Sequence, residues 1–261
     1  MTSDETGGKN RDGLTQLFLQ HGAASYDKQL YLQAMLGKAR WSFALDEGVL
    51  AFTQPHQDPL QLSVQLLGTE SAETHTWLWS WANEDSSIPK RLLKSSQDLR
   101  AFGEREGVPE LHTPHLPLSS QINGGRMAAI ACGVARAACF FRVAYPGGLL
   151  FMLIKDAAYK RSVMHPLRRI AQVFPRFVAQ NEVSDARAAF ISYLNFYRLK
   201  VEIEEEAKRV TAVLGFRPQA SAPVLFNPAT PPVLVAHTNQ KLVAQFDDAN
   251  RLMGLSAQEQ G

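Results

Sequence analysis

Two histidines, His112 and His115, are the first residues whose type and spacing could do chemistry. They lie three positions apart in a loop rich in proline and glycine. The pair could supply metal ligands, or a general base in a cleft that also contains Asn83. A zinc site needs three or four ligands, and no others stand at a matching spacing, so we predict no metal and no cofactor. Ser119 and Ser120 lie nearby, but no Gly-x-Ser-x-Gly elbow surrounds them.

A second candidate is Asn123-Gly124-Gly125-Arg126, which stands directly before a predicted helix. The free amides at a helix N-terminus can bind an anion, and Arg126 would add positive charge. The same four residues are also an ordinary turn and helix cap. Both interpretations stay open, and Arg126 is kept as a candidate ligand-binding residue.

The third candidate is a basic segment, residues 155–176, with six Lys or Arg side chains and one acid. It could form a surface for an anionic partner such as nucleic acid. Alternatively, the acidic run at residues 202–206 neutralises it, in surface pairs that contribute about 0–1 kcal/mol each. The candidate surface residues are Lys160, Arg161, Arg168, Arg169 and Arg176. With a formal net charge of +2, we expect nucleic-acid binding to be the weaker alternative.

Composition narrows the class of protein. The chain has 261 residues, 45% hydrophobic and 20% charged, which is typical of a globular fold of one large domain or two ordinary ones. Cys132 and Cys139 are seven residues apart in a segment predicted to be helical, which places their Cα atoms too far apart for a disulfide. We expect two buried free thiols, no signal peptide and no membrane span, hence a cytoplasmic protein.

The elements that must position the candidates begin after a leader at residues 1–11, which we expect to be disordered. Helical spacing follows from Leu14 to Leu36, interrupted near Gly22. Four alternating runs then predict an antiparallel meander, ending in the strand that carries Trp77, Trp79 and Trp81. A platform for a sugar or a nucleobase is one interpretation of these indoles. We favour the other, that they face the core beneath helices.

Helices are predicted at residues 88–106 and 126–138, followed by a hairpin that turns at residues 146–148. A further helix starts near Pro166. The longest periodic segment, residues 185–214, predicts one long helix whose apolar first half offers a surface for self-association or a protein partner. Short strands at residues 224–226 and 233–236 and a hairpin over residues 242–255 end the chain.

The fold class predicted is α+β: an antiparallel meander packed against helices, then a helical segment with the long helix and a C-terminal β-hairpin. Residues 12–156 and 157–261 could be two units or parts of one fold. No alternating βαβ pattern is present, which argues against a doubly wound nucleotide-binding fold.

The string Thr76-Trp77-Leu78-Trp79-Ser80-Trp81-Ala82-Asn83 is the most distinctive in the chain. With Tyr145-Pro146-Gly147-Gly148 and several short matches between, it resembles a family of uncharacterised bacterial domains that carry a Trp-Leu-Trp-x-Trp-Ala-Asn strand. The resemblance covers roughly residues 12–156. It implies a bacterial, cytoplasmic origin and transfers no activity to any residue.

Three functions follow as hypotheses. The first is a non-catalytic binding or protein-interaction module, because no acid–base pair or nucleophile elbow is visible. The second is a hydrolase or transferase of unknown substrate that uses the loop around His112 and His115. The third and weakest is nucleic-acid binding through residues 155–176.

Overall fold

The structure is a computed structural model, and it describes residues 6–84, 86–157, 159, 161–213 and 240–259. Helices and antiparallel strands are both present, so the α+β class is confirmed. Two residues inside the hydrophobic stretch of α1 show how its sequence sets its packing. Leu14 and Phe18, four positions apart, lie on one buried stripe. The helices are α1 (Thr6–Leu36), α2 (Lys94–Glu106), α3 (Gly124–Val134), α4 (Pro166–Gln180) and α5 (Ala186–Phe196).

Eleven strands among the described residues form two sheets. In the first sheet, β1 to β4 follow one another in order as the predicted meander, β5 pairs with β4 as an additional strand in a stretch predicted to be a loop, and β7 pairs with both β3 and β6. In the second sheet the order is β11-β10-β9-β8, again antiparallel. The strands of the first sheet are β1 (Arg40–Ala44), β2 (Val49–Thr53), β3 (Leu60–Ser71), β4 (Thr76–Trp79), β5 (His115–Pro117), β6 (Cys139–Tyr145) and β7 (Gly148–Ile154). Those of the second are β8 (Lys200–Glu204), β9 (Arg209–Val213), β10 (Gln240–Phe246) and β11 (Leu252–Glu259).

The tryptophan strand faces the core, as two of its three indoles show. Trp77 and Trp79 are fully buried, with ring centroids 5.3 Å apart, and Trp79 Nε1 donates to the Glu110 carbonyl at 2.9 Å. Trp81 departs from the prediction because β4 ends at Trp79 and a short 3-10 helix follows. Its ring is half-buried, with the Arg100 guanidinium 4.6 Å from its centroid.

The larger of two hydrophobic cores contains side chains from all five helices and from both sheets. It therefore includes residues on both sides of residue 157. Helix α1 is continuous through Gly22, where a Cβ atom would lie 3.0 Å from both Phe18 and Phe177. The absent side chain at this position thus allows two aromatic rings to approach the helix closely. Helix α1 begins at Thr6, within the stretch predicted to be a leader.

The predicted long helix at residues 185–214 is wrong. Helix α5 ends at Phe196, and the chain then forms the hairpin of β8 and β9. Val201 and Ile203 alternate with glutamates, a period of two that favours a strand. The acidic residues 204–206 begin the turn, which Lys208 completes in the left-handed region at φ 50°. The apolar first half of the segment is α5, which packs Phe190, Tyr193 and Leu194 into the core, and the predicted partner or self-association stays a prediction.

The remaining elements follow the sequence more closely. The hairpins β6–β7 and β10–β11 are confirmed, and Asp185 caps α5 by accepting a hydrogen bond from the Ala188 amide at 2.8 Å. Cys132 lies in α3 whereas Cys139 starts β6, and both are buried free thiols. The strands predicted at residues 224–226 and 233–236 lie outside the described residues.

Candidate functional site

The predicted site residues lie in separate places. Asn83 and His115 share a groove of about 470 Å³ on the outer face of the first sheet. His112, half-buried after a 3-10 turn, lines neither this groove nor the cavity described next. His115 has no hydrogen bond or ion pair to any described side chain, and the described residues contain no cluster able to hold a metal ion. The histidines are thus not brought together.

Arg126 lies in the first turn of α3, where Asn123 caps the helix by accepting from the Arg126 amide at 2.9 Å. Only 6% of Arg126 is exposed. Its guanidinium carbon stands 3.7 Å from the centre of the Phe18 ring, a close cation–π contact, and Nη1 donates to the Glu182 carbonyl at 3.1 Å. The buried Nε has no hydrogen-bond partner among the described residues.

No carboxylate of the described residues comes within ion-pair distance of this guanidinium. Glu70, which lies at the start of α3, accepts from the Gly124 amide at 2.6 Å instead. Burial lowers the pKa of Arg126 from 12.5 to about 10, and the negative charge of Glu182 opposes this lowering only in part. The guanidinium stays protonated at neutral pH. Keeping it charged in the folded state costs about 3 kcal/mol at 1.36 kcal/mol per pKa unit.

Arg126 lines a cavity of about 210 Å³ between α1, α3 and the end of α4. We name it the arginine cavity. Along α1 its wall is a single stripe at spacings of four and three, from Phe18 through Gly22 and Tyr26 to Gln29. Phe140 and Phe177 add aromatic surface, so that four rings and several side-chain amides surround one cation.

The wall is fixed by contacts between its members. The Phe18 and Phe177 rings are 5.6 Å apart, and those of Tyr26 and Phe177 are 5.9 Å apart. The Tyr26 hydroxyl donates to Gln180 Oε1 at 2.8 Å, and Gln29 Nε2 donates to the Phe140 carbonyl. A planar anion with an apolar body matches this combination of a forked cation and aromatic rings.

The second feature is a buried charge cluster that centres on Asp27, in the middle of α1. Asp27 is fully buried and accepts from Arg169 Nε and the Tyr197 hydroxyl at 2.5 Å each. Its other carboxylate contact is an ion pair with Arg161 Nη2 at 3.1 Å, and Arg161 is only 4% exposed. Burial on its own would lower the pKa of Arg161, but Tyr197 and Asp27 raise it above its ordinary value. The cluster thus joins the middle of α1 to Arg161, to Arg169 in α4 and to Tyr197 after α5.

This cluster corrects the predicted anionic-partner surface. Arg161 is buried and Arg169 is 27% exposed, and both bind Asp27, whereas Arg168 and Arg176 are exposed on α4. Lys160 lies outside the described residues. Among the described residues, Asp27 pairs with two of the six basic side chains, and the acidic run at residues 202–206 forms its ion pairs with Arg187, Lys200 and Arg209.

Sequence reasoning missed Asp27, Lys28 and the aromatic wall. Three adjacent polar residues, 27–29, read as the solvent face of a helix, yet Asp27 and Lys28 are buried. Lys28 Nζ donates to the Ala137 carbonyl at 2.8 Å. The available signal was that residues 14–36 are apolar on more than one face, which is typical of a central helix.

The comparisons with known proteins give one result. Residues 15–157, more than half of the chain, match DUF6882, a family of unknown function. Neither the curated proteins nor the solved structures contain a significant match to the chain. Within the described residues, no helix is both long and apolar enough to cross a membrane. The tryptophan strand, Asn83, His115 and Arg126 all fall inside the matched range, and the chain belongs to the DUF6882 family.

Proposed function

We propose that the protein is a non-catalytic binding protein and that it holds a small carboxylate ligand in the arginine cavity. One observation carries the proposal: Arg126 is a buried cation without a carboxylate partner in the described protein, facing a cavity with aromatic walls. A charged group kept in the interior at a cost in stability is a mark of a functional site. A bound carboxylate would supply the missing negative charge.

The size and lining of the cavity set the ligand class. At about 210 Å³ it is smaller than the roughly 300–1,000 Å³ of sites for drug-sized molecules. Its walls are aromatic rings and neutral amides, with Arg126 as the charged member. A monocarboxylate on a compact apolar body, the size of benzoate or phenylacetate, fits this description.

The test compares benzoate and phenylacetate with their neutral amides, benzamide and phenylacetamide, by isothermal titration calorimetry and thermal unfolding of the full chain. We expect the carboxylates to bind and to raise the melting temperature. A hydrogen bond to a charged group contributes about 1.5–3 kcal/mol, so the amides should bind about 10- to 150-fold more weakly. Equal binding of acid and amide would refute the proposal.

Replacing Arg126 separates a binding role from a structural one. The substitution R126M keeps an unbranched stem over Phe18 but removes the charge. We expect carboxylate binding to be lost while the free energy of unfolding of the unliganded protein stays equal or rises, because the desolvated charge is gone. The exposed Arg168→Met serves as the matched control and should bind like the wild type. Loss of stability in R126M with binding retained would show a purely structural arginine.

A further inference from the structure

The groove that contains Asn83 and His115 lies on the sheet face opposite the buried tryptophans. In the register of β3 with β4, Thr69 pairs with Leu78 and Ser71 with Thr76. In that of β4 with β5, Leu78 pairs with His115. Paired residues of adjacent strands point to the same face, and neighbours along a strand alternate. These side chains therefore share the outer face of strands whose inner face is core.

The described lining of this groove is rich in hydroxyl groups. Its floor consists of Thr69, Ser71 and Thr76, and its sides include the amide of Asn83 and the phenol ring of Tyr145. None of the described residues that line it is Asp, Glu, Lys or Arg. Hydroxyls and amides both donate and accept hydrogen bonds, so together they suit a ligand that does the same at many positions. We name this site the hydroxyl groove.

Hydrogen bonds inside the groove fix part of the hydroxyl array. The Thr74 and Thr76 hydroxyl oxygens are 2.7 Å apart, and Ser71 Oγ accepts from the Thr74 amide at 3.1 Å. Each of these hydroxyl oxygens keeps a further lone pair for a ligand. Tyr145 is 41% exposed and offers an aromatic surface at the rim. With a volume of about 470 Å³, the groove falls within the usual range for small-molecule sites.

We infer that the hydroxyl groove is a second binding site, which takes a neutral sugar. The antiparallel register sets the floor hydroxyls in rows that can hydrogen-bond successive sugar hydroxyls, while the Tyr145 ring covers the apolar face of the pyranose. Apart from His115, the described lining offers a charged ligand no ionisable counter-ion, so such a ligand would lose hydration with little compensation. This site is independent of the arginine cavity and takes a different class of ligand.

The experiment is saturation-transfer-difference NMR on the full chain with glucose, galactose, mannose, N-acetylglucosamine, maltose and lactose. Glucuronate and glucosamine are the charged counterparts. We expect at least one neutral sugar to bind and its charged counterpart to bind more weakly. A response from the disaccharide alone would point to a sugar that is part of a longer glycan and still supports the site. If none of the neutral sugars receives saturation from the protein at about 10 mM, the inference is overturned.

Variants locate the binding. Thr76→Val preserves shape and strand propensity but removes a floor hydroxyl, so sugar affinity should fall about 2- to 12-fold, the effect of one net hydrogen bond. Thr53→Val, on an exposed strand end, is the matched control and should leave affinity unchanged. R126M should also bind sugar normally, which keeps this test separate from that of the carboxylate. Sugar binding that T76V leaves intact would place the site elsewhere and refute the inference.

Discussion

Replacing Asp27 by asparagine tests the buried charge cluster most directly. The substitution removes the negative charge that pairs with the Arg161 guanidinium, 4% exposed, and with the partly buried Arg169. Removing one partner of a buried ion pair costs about 3–5 kcal/mol. Total stabilities of domains are about 5–15 kcal/mol, so the loss is a large share of the whole. We expect D27N to lower the free energy of unfolding by about 3–5 kcal/mol.

The assay is urea denaturation followed by far-UV circular dichroism and by tryptophan fluorescence. Asp98→Asn is the matched control, because its ion pair with Lys94 lies on the surface of α2 with side chains 61% and 75% exposed. That pair should contribute only about 0.3–0.5 kcal/mol. A D27N protein within about 1 kcal/mol of the wild type would refute the view that this aspartate balances two buried guanidiniums.

A double-mutant cycle with Arg161→Met isolates the pair itself. If Asp27 and Arg161 interact as the 3.1 Å contact indicates, the double variant should be more stable than the sum of the two single losses predicts. Coupling energies between contacting residues are about 0.5–3 kcal/mol. Additive losses would mean that the stability comes from Arg169 and Tyr197 instead.

Three more predictions concern other parts of the fold. Gly124→Ala should lower the free energy of unfolding by about 1–3 kcal/mol, because the new Cβ would lie 2.2 Å from the Phe151 ring. Gly125→Ala, whose Cβ has room, should raise it by up to about 1 kcal/mol, as measured by thermal unfolding. Asp185→Ala removes the cap of α5 and should lower the free energy of unfolding in urea by about 1 kcal/mol; no change would contradict the capping contact. Burial and the charge of Lys28 lower the pKa of His21 from 6.5 to about 4, so the unfolded chain takes up a proton first as pH falls. Between pH 7 and pH 5 the free energy of unfolding of the wild type should fall by about 2 kcal/mol, and that of H21Q should fall by less. The same dependence of stability on pH in both proteins would refute this.

The sequence predicted those elements that strong local patterns define. Alternation in β1 to β4, with turn residues between the strands, predicts the meander. Burial of Trp77 and Trp79 is predicted because exposing their large apolar rings to solvent would be unfavourable. The hairpins around residues 146–148 and 247–250 follow from turn chemistry. In each case the signal lies within about ten adjacent residues.

The failures have a common cause, since they depend on contacts between distant residues. The segment 197–213 contains both a helical and an alternating apolar pattern, and the pairing of β9 with β10, some 30 residues later, stabilises the strand form. Likewise Asp27 reads as a solvent-facing residue of α1 until Arg161, Arg169 and Tyr197 pack over it from beyond residue 160. The arginine cavity requires the end of α4 as one wall, which no local pattern around Arg126 reveals.

The family match ends at residue 157, but each side-chain partner of the Asp27 carboxylate comes from later in the chain. In a relative that kept only the matched region, the side chains that cover Asp27 would be absent, and the residue at this position would face solvent like any polar residue of an outer helix face. An aspartate there, together with arginines and a tyrosine at the positions of Arg161, Arg169 and Tyr197, would identify from sequence alone the members of the family that share this C-terminal segment.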